Sequence, residues 1–208
     1  MRPMILLWFL LLIPSFWSAP KILCLGDSLT EGYGIETHQA WPALLEAGLK
    51  EKGLLDVQII NAGVSGAVSA SGLSRLRWSI KAGPDLVFIA LGANDGLRGL
   101  PTGQMERNLD VLLQEAIKIL GDPQKVIFAG MKVPPNYGLE YSRHFEEVYL
   151  KLADKYQVHF VPFLLEDVAG DKTLNLPDGI HPNAQGHQII MSKLLPTFLK
   201  ALKHVDLK

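Results

Sequence analysis

Four short segments carry side chains suited to acyl transfer. Ser28 stands in Leu25-Gly26-Asp27-Ser28-Leu29-Thr30, directly after the apolar run Ile22 to Leu25 and before the glycine-rich Glu31-Gly32-Tyr33-Gly34. A serine at the end of a predicted strand, flanked by turn-forming residues, is placed where a nucleophile is useful. Its hydroxyl is barely acidic, so attack on a carbonyl needs a base to take the proton. Asp178-Gly179-Ile180-His181-Pro182 supplies an imidazole that titrates near working pH. It also supplies, three residues earlier, a carboxylate able to accept the other ring N–H.

The tetrahedral intermediate of such a reaction carries a negative oxygen and needs donors already in place. Losing one typically costs about 3 kcal/mol of barrier lowering. The candidates are the backbone N–H of Ser28, the backbone N–H of Gly66 in Asn61-Ala62-Gly63-Val64-Ser65-Gly66, and the amide of Asn94 in Leu91-Gly92-Ala93-Asn94-Asp95. Glycine at 66 lets the backbone approach a substrate with no Cβ in the way. The neutral amide at 94 binds an oxyanion without demanding a counterion. Taken singly, each segment also reads as an ordinary turn; their joint occurrence in chain order, each after its predicted strand, favours a site.

Asp27 and Asp95 adjoin the candidates and read as orienting or hydrogen-bonding groups, since a Ser–His system needs no second acid. His38 and His204 read as surface residues, His144 and His187 as helix positions and His159 as a strand position. No Cys/His or His/carboxylate cluster has metal-ligand spacing, and no segment matches a P-loop or a dinucleotide fingerprint. Neither a metal nor another cofactor is expected.

The elements that must position these residues alternate. Strands are predicted over 21–26, 57–61, 85–91, 125–131 and 158–162. Helices are predicted over 39–52, 69–81, 101–120, 140–156 and 184–204. This predicts a parallel sheet covered on both faces by right-handed crossovers, with ligands at the carboxyl edge of the strands.

The chain has 208 residues, 48% of them apolar, enough for one domain with a substantial core. Its net charge of -1, with Lys and Arg scattered, argues against a nucleic-acid partner. Arg2, the apolar run Met4 to Ile13, Pro14 and the small-residue exit to Ala19 have the layout of a secretory signal peptide. The run is shorter than the roughly 20 residues of a spanning helix. Residues 1–19 are therefore expected to be a leader cut near Ser18 or Ala19. Residues 20–208 would then form an exported domain with no membrane span; an uncleaved anchor is the alternative. Cys24, the single cysteine, excludes an internal disulfide and reads as a small buried hydrophobe.

These residues resemble the SGNH-hydrolase superfamily, also called GDSL esterases and lipases. Gly26-Asp27-Ser28-Leu29 is similar to its first block, with Ser28 as nucleophile. Gly66 matches the oxyanion glycine of the second and Asn94 the oxyanion asparagine of the third. Asp178 and His181 match the acid and base of the fourth. Ala40-Trp41-Pro42-Ala43-Leu44-Leu45, Asn94-Asp95-Gly96-Leu97-Arg98-Gly99 and Pro135-Asn136-Tyr137-Gly138 are similar to the bacterial thioesterase I/lysophospholipase branch, also known for arylesterase activity.

The resemblance implies a flavodoxin-like, three-layer α/β/α sandwich with five parallel strands. It also implies export to the periplasm and cofactor-free cleavage of small-molecule acyl esters and thioesters, lysophospholipids among them. Ala93 stands where that branch often has a second glycine, and Gly63 where some relatives have serine; both bear on acyl-chain preference. The loops 97–101 and 134–138 are apolar enough to guide an acyl chain. Two other readings remain open. A carbohydrate O-acetylesterase would need aromatic sugar subsites, for which Trp41, Trp78 and a few tyrosines are available. A non-catalytic lipid- or partner-binding module would leave the four-part constellation without a purpose.

Overall fold

Continuous apolar runs become the inner strands. Ile22 to Leu25 of β1 (Lys21–Gly26) are wholly buried, and all of β3 (Leu86–Ala90) and β4 (Val126–Ala129) is buried. The more mixed β2 (Gln58–Gly63) and β5 (His159–Val161) form the edges. All pairings are parallel, in the order β2-β1-β3-β4-β5. The computed structural model describes residues 19–205. The expected leader, apart from Ala19, lies outside the described residues. Among them no helix is long and apolar enough to cross a membrane.

The helices are α1 (Ser28–Glu31), α2 (Trp41–Glu51), α3 (Gly72–Ser79), α4 (Ala93–Leu97), α5 (Thr102–Leu120), α6 (Leu139–Tyr156) and α7 (Ala184–Ala201). On one face α2 packs on α7; on the other α3, α5 and α6 lie in a row. Single stripes face the sheet, such as Leu109, Leu112, Leu113 and Ala116 of α5. Trp41, Phe88 and Phe198 meet between the sheet and the α2/α7 layer, with ring centroids 5.0 to 6.3 Å apart. Fully buried Cys24 belongs to this core. The three-layer sandwich is the expected one.

Two differences from the expected elements bear on the site. The helix predicted over 69–81 begins as a 3₁₀ turn, Ser69–Ser71, and ends in another, Ile80–Ala82. At its start Asp95 accepts both the Ser69 N–H, at 2.7 Å, and the Ser69 hydroxyl, at 2.6 Å. The short α1 and α4 lie where loops were expected, and they carry Ser28 and Asn94.

The strand order sets the location. The chain leaves β1 to one side for β2 and returns to the other side as β3, so the connections diverge above β1 and β3. Gly26 pairs with Gly63 on one side and Ala90 on the other. Small residues thus surround the point from which Ser28 emerges.

Candidate active site

Asp27 places Ser28. Its Oδ1 accepts the Leu29 N–H at 3.0 Å and caps α1. From α2, Trp41 Nε1 donates to the Leu29 carbonyl at 3.0 Å. The four-residue helix is therefore held at both its start and its inner side. A Cβ at Gly63 would run into the backbone of Thr30 and Glu31, so glycine there is what lets α1 lie against β2. The serine of some relatives would require that backbone to shift.

His181 arrives from the far end of the chain, 153 residues on, with Nε2 3.0 Å from Ser28 Oγ. Its Nδ1 lies 2.7 Å from Asp178 Oδ2. The other oxygen, Oδ1, accepts the backbone N–H groups of His181 at 3.0 Å and Ile180 at 2.9 Å. These backbone bonds, led by that of His181, and the neighbouring imidazole hold the Asp178 carboxyl at about 2. An ionised Asp178 keeps the ring proton on Nδ1 and leaves Nε2 free to accept one from Ser28. The Tyr33 ring packs on the imidazole with centroids 4.5 Å apart.

The expected oxyanion donors are the N–H groups of Ser28 and Gly66 and the Asn94 amide. Among the described residues the N–H groups of Ser28 and Gly66 have no intrachain acceptor. Gly66 has φ +76°, a left-handed conformation that favours glycine. Asn94 Nδ2 donates to the Ala67 carbonyl at 3.1 Å and reaches Asp27 Oδ2 at only 3.5 Å. Asn94 therefore stands between the neighbour of Ser28 and the neighbour of Gly66, with its second proton weakly engaged. Ala93 is the first residue of α4 and needs no special backbone angle, so alanine there stiffens the turn before Asn94.

Side chains that sequence reasoning missed hold the donor loop. Glu31 Oε2 accepts the Ser65 N–H at 2.7 Å and also the Ser65 hydroxyl. Arg98 Nη2 donates to the Gly66 carbonyl at 3.0 Å. With Asn94 on Ala67, three consecutive residues of the loop are pinned, from α1, from α4 and from Arg98 at the end of α4. Arg75 of α3 ties the ends of β1 and β2, donating to the carbonyls of Gly26, at 2.9 Å, and Ala62. All three partner backbone or hydroxyl groups far off in sequence, so no local motif announces them.

The remaining candidates divide as expected. Asp95 is buried and its carboxylate accepts from the Ser69 N–H and hydroxyl. His187 is buried and its Nδ1 accepts the Trp41 N–H at 3.0 Å. His159 is a buried residue of edge strand β5. Trp41 is fully buried and Trp78, on α3, is exposed but distant in the fold. Neither offers a sugar platform beside Ser28. A cleft of about 510 Å³ lined by residues such as Gln124, Asp154, His159 and Lys200 lies beside β5 and includes none of the site residues.

Two buried groups give the fold an acid response. Burial pushes the Asp27 carboxyl from the ordinary 3.8 up to about 6, against the Leu29 N–H and the charges of His181 and Arg75. The folded chain binds this proton more tightly than the unfolded one, so the Asp27 contribution to stability rises as pH falls from about 6 to about 4. His187 acts oppositely. Burial, with His181 nearby, lowers its imidazole from 6.5 to about 4, so stability is lost as pH falls across that interval. Asp27→Asn removes the first response and keeps the second. The variant should melt above the wild type at about pH 8, with a lead that shrinks below about pH 6. Thermal unfolding across this range checks it; a pH-independent difference would rule out the charge as cause.

Known hydrolases resemble this chain in sequence and fold. The family described as GDSL-like Lipase/Acylhydrolase matches residues 24–189. An arylesterase of Vibrio mimicus is 39% identical over 97% of this chain and 99% of its own length. The thioesterase 1/protease 1/lysophospholipase L1 of Escherichia coli K12 is 37% identical over 83% of this chain and 80% of its own. A crystal structure of TesA superposes with a TM-score of 0.82 at 37% identity, covering 88% of this chain and 99% of that one.

Proposed function

The chain belongs to the GDSL-like lipase/acylhydrolase family and is a carboxylic ester hydrolase of the esterase and thioesterase kind, and from that premise we propose that it works through an acyl-enzyme on Ser28. Ser28 Oγ attacks the acyl carbonyl while His181 Nε2 takes its proton. Asp178 stabilises the imidazolium and keeps its tautomer. The N–H groups of Ser28 and Gly66 and the Asn94 amide receive the oxyanion. His181 then returns the proton to the leaving alcohol or thiol. A water repeats the sequence on the acyl-enzyme and releases the carboxylic acid.

The observation that carries this reading is the unbroken chain of contacts from Ser28 Oγ to His181 Nε2 at 3.0 Å and from Nδ1 to Asp178 Oδ2 at 2.7 Å. Labelling with a fluorophosphonate tests it. Ser28 should be modified; an unmodified Ser28 would favour a binding module on the same fold.

The substrates are lipid-like and aryl acyl esters and thioesters, lysophospholipids included. Supporting this are the apolar loops 97–101 and 134–138, joined by Tyr137 Oη to the Leu97 carbonyl at 2.8 Å. Tyr141 Oη also binds the Leu100 carbonyl at 2.8 Å. Rates on a chain-length series of p-nitrophenyl esters should rise beyond acetyl. A flat series would count against an acyl-guiding role. Activity confined to acetylated polysaccharide would favour the O-acetylesterase reading, for which buried Trp41 and distant Trp78 offer no platform.

Asn94→Ala should lower kcat by about a hundredfold or more with a smaller effect on KM, because the amide acts on charge that develops only during reaction. A change in KM alone would make Asn94 a substrate-positioning group. Residues 1–19 act as an export signal in this reading, delivering residues 20–208 to the periplasm or outside the cell. N-terminal sequencing of the exported fraction tests this, and an intact Met1 would count against it.

A further inference from the structure

Of the ten large apolar side chains exposed among the described residues, Leu55, Trp78, Val111, Ile119 and Leu150 lie on helices or at the amino edge, and the other five fall one to each connection where it leaves the carboxyl edge of the sheet. These are Tyr33 after β1, Val64 after β2, Leu100 after β3, Leu139 after β4 and Ile180 after β5, between 37% and 83% exposed. They share this edge with Ser28 and His181. Tyr33 packs on the His181 ring and Ile180 adjoins His181 in sequence. Val64 precedes Ser65, which Glu31 of α1 holds. Leu139 opens the helix whose Tyr141 binds the Leu100 carbonyl. Isolated exposed apolar residues need no explanation, but one at the carboxyl edge of every connection does.

We propose that this edge docks on a phospholipid bilayer surface. The five side chains enter the headgroup region and bring Ser28 to esters held in the lipid; the proposal rests on the esterase reading above. Two observations select a bilayer over a protein partner. First, exposed polar residues stand within two positions of four of the apolar side chains, Glu31 before Tyr33, Ser65 after Val64, Arg98 before Leu100 and Asp178 before Ile180, a mixture unlike the apolar centre of a protein interface. A fluid surface accepts separate points of insertion. Second, Arg98 is exposed on this rim and, among the described residues, has no carboxylate within 4.0 Å. Its guanidinium bonds the Gly66 carbonyl through Nη2 and has further N–H groups to offer a lipid phosphate.

Cys24 is buried, so a cysteine introduced at the surface takes a fluorophore selectively. An environment-sensitive dye on Leu139→Cys should shift to the blue with phosphatidylcholine vesicles and be quenched by spin-labelled lipid. The same dye on Leu55→Cys, at the amino edge, should do neither. Leu139→Asp should slow hydrolysis of a long-chain ester carried in those vesicles by about tenfold and leave soluble p-nitrophenyl acetate turnover unchanged. A dye at 139 blind to vesicles, or equal slowing on both substrates, overturns the docking. A blue shift that grows with protein concentration in the absence of lipid also overturns it, marking an interface between copies. Absence of p-nitrophenyl acetate turnover in the wild type would instead sink the esterase reading, and the dye at 139 would still decide the docking.

Discussion

Ser28→Ala is expected to lower kcat on acyl esters by on the order of 10⁵-fold or more while leaving the fold within about 1 kcal/mol of the wild type. The size of the first effect follows from the reaction. Without Oγ there is no atom to form the acyl-enzyme, and the oxyanion donors alone give only residual catalysis. The size of the second follows from the structure. Oγ makes one contact with another side chain, to His181 Nε2, and the substitution sits at the start of a helix already capped by Asp27. His181 is partly exposed, so water can take the vacated position. Steady-state kinetics beside thermal unfolding separates the two effects. A variant keeping a tenth of its activity would require another nucleophile. Cys24 does not qualify, because it is fully buried and burial pushes its thiol far up.

Asp178→Asn should lower kcat by about 10⁴-fold, and should do more harm than Asp178→Ala. Oδ1 of the native carboxylate accepts two backbone N–H groups, from Ile180 and His181. An asparagine must keep its carbonyl oxygen there, which turns its NH₂ toward His181 Nδ1. That donor forces the ring proton onto Nε2, where it blocks acceptance from Ser28. Alanine removes the carboxylate but leaves Nδ1 to hydrogen-bond with water and keep its proton. Comparing kcat for the two variants near neutral pH is the test. Equal losses would mean that the charge of Asp178, rather than the tautomer it sets, dominates.

What could be read in the sequence divides along physical lines. The inner strands were legible because burial on both faces leaves an unbroken apolar run, as in Leu86-Val87-Phe88-Ile89-Ala90. The long helices were legible because their core-facing residues recur with the helical period. Ser28, Asp178 and His181 were legible because a nucleophile turn and an acid–base turn are each local. The helices α1 and α4 were not, since four or five residues cannot display that period. Nor were Glu31, Arg75 and Arg98. Each grips backbone or hydroxyl groups brought near only by the strand order, and a bond to a carbonyl leaves no mark on the partner's identity. Gly63 was noticed only as a departure from relatives; its steric reason, the passage of α1 across β2, needed coordinates.

The 153 residues separating Ser28 from His181 have a consequence for the life of the polypeptide. During synthesis the hydroxyl emerges from the ribosome long before its base has been polymerised. A growing chain therefore lacks the Ser28–His181 contact, which forms only when the last loop closes.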